Sequence, residues 1–374
     1  MEEIDASAKA AVPLKIVILG LSITSSWGNG HATTYRALAR ALHARGHDLL
    51  FLERDVPWYA AHRDLAAPPF ARLGLYQDLA QLCQEHAEAV RNADLVLVGS
   101  YVPEGVAVGD WVLQTAQGPT AFYDIDTPVT LAKLRRGDYE YLHPRQIPAY
   151  PLYLSFAGGP TLELLEQEYG SPAAHAFYCS VDPQLYYPEQ QAPDWDLGYM
   201  GTYSPDRQPT LEQLLLQVAR RDATRRFVVA GPNFPREIEW PHNVARIEHL
   251  PPGEHRAFYN RQRYTLNVTR ADMVALGYAP SVRLFEAAAC GTVIISDFWA
   301  GLETLFAFDQ EILVARSPQD VLGYLYELDE TERQAISRRA RAVVLQHHTA
   351  HHRAMELEQH VGKLIHRVEF SHAR

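Results

Sequence analysis

The chain of 374 residues predicts an α/β protein with two parallel sheets in two domains, and three observations carry that prediction. Short apolar runs alternate with helical patterns along its length, which is the signature of βαβ units. The alternation breaks near Ser180 to Trp195, where three prolines and several polar residues interrupt the periodicity, and then restarts. The length itself suits two domains of about 150 to 200 residues, each able to bury its own core.

In the first half, the apolar runs Lys15 to Gly20, Asp48 to Glu53, Asp94 to Gly99 and Thr120 to Tyr123 read as strands. Helices lie between them, notably Thr33 to Arg45 and Asp78 to Asn92. The second half repeats the pattern with Leu197 to Gly201, Arg226 to Ala230, Thr265 to Val268, Thr292 to Ser296 and Ile312 to Ala315. Beyond Ser317 the pattern is nearly all helical, through Glu330 to Gln346 and His351 to Val368. The expected division is 12–180, 181–350 and a terminal helix 351–374. Met1 to Ala11 is acidic and alanine-rich, reads as a loose tail, and lacks the basic start of a secretory signal.

Composition narrows the function. At 47% hydrophobic and 21% charged residues, extensive disorder is disfavoured. No run approaches the ~18 consecutive apolar residues of a membrane span. Cys83, Cys179 and Cys290 lie far apart, outside any zinc-like or CxxC spacing, which fits a cytoplasmic protein with reduced thiols. A net charge of −11 with no dense basic block penalises a nucleic-acid partner. The oligomeric state is not legible.

The most informative stretch is Pro280 to Asp297, PSVRLFEAAACGTVIISD. On a 3.6-residue period Val282, Phe285 and Ala289 share one face, and Glu286 sits beside that face. A carboxylate there needs a partner carrying hydroxyls or positive charge. Two readings are open: a helix-surface pair with Arg283 at i,i+3, or a helix whose free amides at Ser281, Val282 and Arg283 receive a diphosphate while Glu286 accepts from a ribose.

After the first strand, Gly20 to His31 carries Gly28, Asn29 and Gly30 and opens a helix at Thr33. Glycines permit close approach, and a helix start favours an anion or polar substrate. A dinucleotide fingerprint, with Glu53 as the ribose acid, competes, but Gly28 follows the strand by eight residues and Thr33 stands at the third glycine position. His31 reads equally as a base or as a cap-region histidine. In FYDIDTPVT, Phe122 to Thr130, Asp124 and Asp126 directly follow a strand, and residues two apart on an extended chain point the same way. Like charges so placed raise the pKa of one member and suit a general base. Helix capping by Asp126, a metal pair and an interdomain salt bridge compete. In GTYSPDRQP, Gly201 to Pro209, Arg207 precedes a helix and can reach a diphosphate. His347, His348, His351 and His352 form two i,i+4 pairs if one helix carries them, which is chelating spacing without an accompanying glutamate. A solvated or partner-facing helix is the simpler reading.

SVRLFEAAACG at Ser281 to Gly291, GYMGTYSPDR at Gly198 to Arg207 and SVDPQLYYP at Ser180 to Pro188 resemble GT-B glycosyltransferases, and the chain is similar to their CgeB-like branch. The resemblance implies two Rossmann-like domains facing across a cleft, with C-terminal helices crossing back to the first. It implies transfer of a sugar from a nucleotide diphosphate donor to an acceptor hydroxyl, without a metal ion or cofactor. The donor-binding residues it implies are Glu286, Arg283, Ser281, Val282, Arg207, Tyr203 and Gly231, with His249 and Leu250 at the nucleobase. Asp126, Asp124 and His31 become the base candidates, and Gly28, Asn29 and Gly30 an acceptor-side loop. Retaining families usually carry a second glutamate eight residues before the ribose-binding one; here that position is Tyr278, which tilts the expectation towards inversion. A sugar-nucleotide epimerase and a non-catalytic nucleotide-sugar binder share the architecture.

Overall fold

The computed structural model describes residues 12–372, so the expected tail Met1 to Ala11 lies outside the described residues. Among those residues, thirteen strands form two wholly parallel sheets. The first contains β1 (Lys15–Gly20), β2 (Asp48–Arg54), β3 (Arg72–Tyr76), β4 (Leu95–Gly99), β5 (Thr120–Asp124), β6 (Leu152–Ser155) and β7 (Ala174–Ala176), in the order 3-2-1-4-5-6-7. The second contains β8 (Trp195–Met200), β9 (Phe227–Ala230), β10 (Val244–Ile247), β11 (Gln262–Asn267), β12 (Val293–Ser296) and β13 (Leu313–Val314), in the order 10-9-8-11-12-13.

Each order reverses at one place, between β1 and β4 in the first sheet and between β8 and β11 in the second. Loops leaving neighbouring strands at such a point diverge, which opens a crevice at the carboxyl ends of the strands.

The chain separates into two compact units. One runs to Ser180 and takes back the chain from Ala350 onward; the other is Val181–Thr349. In the first unit β4 and β5 are buried along their whole length, as expected for strands covered by helices on both faces. In the second, Leu197, Tyr199, Phe227, Val229, Leu266, Val293 and Ile295 bring β8, β9, β11 and β12 into one core. Local signals set the helix ends. Asn29 caps Gly30–Ala44, Asp78 caps Leu79–Arg91 by accepting from the Gln81 amide, and Ser317 with Asp320 forms a capping box on Pro318–Glu327.

The last helix, Ala350–His372, packs within the first unit. Arg45 donates to both carboxylate oxygens of Glu358 at 2.5 and 2.8 Å, and His47 Nε2 lies 2.8 Å from Oε1. The histidine reading fails here for a geometric reason. One helix ends at His347 and the next begins at Ala350, so the four histidines do not share the i,i+4 face of one helix. His348 instead stacks on Phe285 at 4.7 Å, and His351 Nε2 lies 3.3 Å from Arg45 Nη1. Among the described residues there is no cluster of three or more potential metal ligands, and no helix is long and apolar enough to cross a membrane.

Candidate functional site

In the second unit, the loops after β8 and β11 and the start of helix Val282–Ala289 surround the reversal point. Asp206 fastens the two loops together by accepting from the Ala271 amide at 2.8 Å. The helix is not amphipathic in the expected way, because every residue from Arg283 to Ala289 is buried. Its two charged residues therefore answer to the interior. Arg283 forms no bond with Glu286; Nε donates to the Met200 carbonyl at 2.7 Å and Nη1 to Asn267 Oδ1 at 2.9 Å, with the guanidinium over the Tyr199 ring. The helix-surface pair is thus replaced by an arginine anchored beneath the end of β8.

Ser281 stands at the N-cap without capping. Its hydroxyl donates to Asn267 Oδ1 at 2.9 Å, so the first amides of the helix, at Val282 and Arg283, receive no side-chain cap. Arg207 lies in the same electrostatic neighbourhood. Burial lowers its pKa from the ordinary arginine value, Tyr199 acts in the opposite sense, and the positive charges of Arg283 and Arg270 lower it further. One Arg207 nitrogen, Nη2, donates to the Thr202 carbonyl at 2.6 Å, while Nε is buried without a hydrogen-bond partner. The charges of Arg270 and Arg283 thus act on Arg207, with Asp206 acting on it in the opposite sense, so positive charge gathers near an uncapped helix start in a protein whose net charge is −11.

Glu286 lies one turn further along and is 2% exposed. It accepts from the Tyr259 hydroxyl at 3.1 Å, and His255 Nδ1 lies 4.0 Å from the same oxygen. Burial raises the Tyr186 and Tyr259 pKa values well above the ordinary range, and the Glu286 charge adds to both. His255 Nε2 reaches the Leu250 carbonyl at 3.2 Å, which links the carboxylate to the loop carrying the exposed His249. Gly231 marks the closest loop approach: with φ at +142°, a Cβ built there would lie 2.0 Å from the Gly201 carbonyl oxygen. Its own carbonyl accepts from Arg246, whose guanidinium sits 4.3 Å from both the Phe234 and Trp240 rings, and Tyr203 packs edge-on against Phe234 at 5.5 Å.

In the first unit, the loops after β1 and β4 carry His31 and Tyr101 to the other reversal point. The rival dinucleotide assignment fails at Glu53. This residue is fully buried and accepts from Ser22 Oγ, Thr24 Oγ1 and the amides of Ile23 and Thr24 at 2.6–3.1 Å. It organises the β1 loop and has no face left for a ribose. Asn29 completes the loop by accepting from the His31 amide at 3.1 Å. Gly28 has φ at +61°, and beside both Gly28 and Gly30 a Cβ would meet nothing within 4 Å.

The two aspartates separate, which corrects the expectation that they act as a pair. Asp124, the last residue of β5, is fully buried and accepts from Tyr153 at 2.6 Å, Thr130 at 2.7 Å and the Asp126 amide at 3.3 Å. Burial lifts its pKa to about 6, with the Asp126 charge contributing in the same direction. Protein donors occupy both of its oxygens, so this carboxylate supports the loop. Asp126 lies beyond the strand end, remains partly exposed and makes no capping bond to the helix Thr127–Arg135, so the capping alternative also fails. Its Oδ2 accepts from the Tyr101 hydroxyl at 3.2 Å, and the Tyr101 ring meets His31 edge-on at 5.3 Å. Burial lowers the His31 pKa to about 4, so the imidazole is neutral at pH 7, and its Nδ1 is buried without a hydrogen-bond partner. Tyr101 holds φ at +63°, a left-handed conformation that a tyrosine adopts at a cost and that marks functional loops.

Sequence reasoning missed Tyr101, Tyr259, His255, Asn267 and Arg270. Tyr101, Arg270 and Asn267 sit at or just beyond strand ends, where the rule that singled out Arg207 would also have found them. Tyr259 and His255 lie inside a helix and carry no such signal.

Two doubly wound units in one chain, together with the similar solved structures, give this protein a GT-B type of fold. Within it, residues 207–359 match the family described as glycosyl transferase-like. The whole chain is similar in fold to HepE of Anabaena, solved with UDP and glucose: 12% identity, TM-score 0.69, covering 94% of this chain and 100% of that one. A sucrose-phosphate synthase from Thermosynechococcus elongatus is 13% identical with a TM-score of 0.65, covering 95% and 99%. An alpha-glucosyltransferase solved with UDP and a 13-mer DNA is 12% identical with a TM-score of 0.65, covering 94% and 100%. None of the curated proteins compared with the chain matches it in sequence.

Proposed function

We propose that this protein is a glycosyltransferase of the CgeB-like branch, moving a sugar from a nucleotide diphosphate donor to an acceptor hydroxyl. The observation that carries the reading is the corner formed by the uncapped helix start at Ser281 and Val282 with Arg207, Arg270 and Arg283. Amides and guanidiniums fixed around one point stabilise a departing diphosphate better than they stabilise an intact donor, because negative charge grows there as the bond breaks. Glu286, one turn on, accepts from the ribose, with Tyr259 and His255 setting its position. His249 and Leu250 line the nucleobase, and Tyr203 and Gly231 shape the same loops. The UDP complexes among proteins of the same fold support a nucleotide diphosphate as the ligand.

The first unit takes the acceptor along Gly28, Asn29 and Gly30 and supplies the base. Asp126 removes the acceptor proton while Tyr101 holds its carboxylate; neutral His31 is the second candidate. Tyr278, standing where retaining relatives usually have a glutamate, favours inversion. The fixed positive corner makes a metal ion unnecessary, and three cysteines far apart in sequence, outside any CxxC or zinc-like spacing, favour a cytoplasmic site of action.

Thermal denaturation with a panel of UDP-, GDP-, ADP- and dTDP-sugars tests the donor assignment. A bound donor at 100 times its dissociation constant adds about 2.7 kcal/mol of stability. Asp126→Asn should keep that shift and lower transfer by about 10² to 10⁴-fold. A variant that still transfers at the wild-type rate rules Asp126 out as the base, and interconversion of donors without an acceptor product identifies an epimerase instead. Activity that survives EDTA supports metal independence, and activity abolished by it contradicts it.

A further inference from the structure

We infer that the acceptor is a neutral saccharide, seated on an aromatic platform formed by Trp58, His62 and Trp27 beside the β1 loop. This inference rests on the transferase reading above and adds the substrate class. Trp58, on the short helix Pro57–Ala60, is 60% exposed. A lone exposed indole is ordinary, but here it is joined to two part-buried rings, His62 and Trp27, in one aromatic cluster. The platform is built rather than incidental. His62 lies between the two indoles, parallel to Trp27 at 4.7 Å and 16° and tilted against Trp58 at 5.4 Å. Its Nδ1 is 2.8 Å from the Trp58 carbonyl oxygen, which pins the ring to the helix.

The surroundings select the occupant. Charges around the rings are already paired: Arg36 forks onto Asp64 at 2.8 and 2.9 Å, and Arg63 reaches Asp55 at 2.5 Å. A neutral patch of rings edged with hydrogen-bonding groups suits a ligand with an apolar C–H face and many hydroxyls. A flat aromatic acceptor is the competing occupant of the exposed Trp58 face. The platform adjoins the loop that leads to the base candidates. Trp27 is followed by Gly28 and Gly30, which leave open space, and then by His31, whose ring meets Tyr101 and through it Asp126. A sugar stacked on the rings places further hydroxyls towards the base candidates.

Saturation-transfer NMR on the full chain tests this with maltose, cellobiose, lactose and chitobiose, and with p-nitrophenol as the flat competitor. At least one disaccharide should receive saturation from the wild type. Trp58→Ala should weaken it at least tenfold, whereas Trp58→Tyr should largely restore it, and UDP affinity should be unchanged in both. Binding of no disaccharide, binding indifferent to Trp58→Ala, or binding of p-nitrophenol alone overturns the inference. A protein that binds a disaccharide through Trp58 but no nucleotide diphosphate would instead sink the transferase reading, so the two failures are distinguishable.

Discussion

Asp124 and Asp126 show how far two positions can separate in role. Both follow a strand, and a period of two would turn them the same way; but the strand ends at Asp124, and Asp126 adopts φ −141° and ψ 49°, off the extended path. Asp124 then faces Tyr153 and Thr130 in the core. Nothing in the sequence marks where a strand stops to within one residue, so the candidate pair was legible and its division was not. Burial raises Asp124 from 3.8 in the unfolded chain to about 6 in the folded one. Between those values the folded chain retains a proton that the unfolded chain has released, so stability falls as pH rises through that window. The expected loss is about 3 kcal/mol, complete above the folded pKa. Denaturant titrations near pH 4 and pH 7.5 on wild type and Asp124→Asn isolate this contribution. Because pH 4 already lies just above the unfolded value, the wild type should lose about 2.5 kcal/mol more than the variant between these two pH values, and equal losses would show that Asp124 is not the group responsible.

At the level of elements, buried central strands read clearly from sequence, whereas short or marginal ones did not. β1, β4 and β5 are continuous apolar runs, recognised to within a residue or two at each end. β3, β7 and β10 escaped notice because they lie at or beside sheet edges, where half-exposed sequences such as RLGLY, AHA and VARI carry no apolar run. β6, LYLS, was missed because Pro148 and Pro151 just before it mark the stretch as a loop. The helix Val282–Ala289 was legible as an element but not as a buried one, since its small residues suit either setting. Its start depends on Asn267, whose Oδ1 accepts from both Ser281 and Arg283 and whose Nδ2 donates to Thr269 and Ser296. Asn267→Ala would leave a buried guanidinium short of a partner, at a cost of about 1.5–3 kcal/mol. It should also free Ser281 to cap its own helix and so compete with an incoming anion. Chemical denaturation and UDP titration should therefore both move; a variant of unchanged stability would contradict the anchoring role.

For the molecule as a whole, the division of labour follows from topology. Each sheet reverses its strand order once, and the chemistry-bearing residues gather at those reversals: His31 and Tyr101 at one, Arg207 and Arg270 at the other. The two-sheet architecture was recoverable because its signal repeats over many residues. Identities such as His255, which acts on Glu286 through a fold contact, were not. The family match covers residues 207–359, in the half that carries the proposed diphosphate corner. A positive corner in a molecule of net charge −11 attracts a small anion at short range while the whole repels polyanions. UDP affinity should accordingly fall as salt rises.

The most direct measurement is calorimetric titration of UDP into the wild type and into Arg207→Ala. The wild type should bind one UDP per chain, and the variant should bind it at least about tenfold more weakly, since a charge-assisted bond contributes about 1.5–3 kcal/mol. Affinity unchanged by the substitution, or no binding of UDP, GDP or ADP by the wild type, would contradict the claim that this helix start and its arginines hold a nucleotide diphosphate.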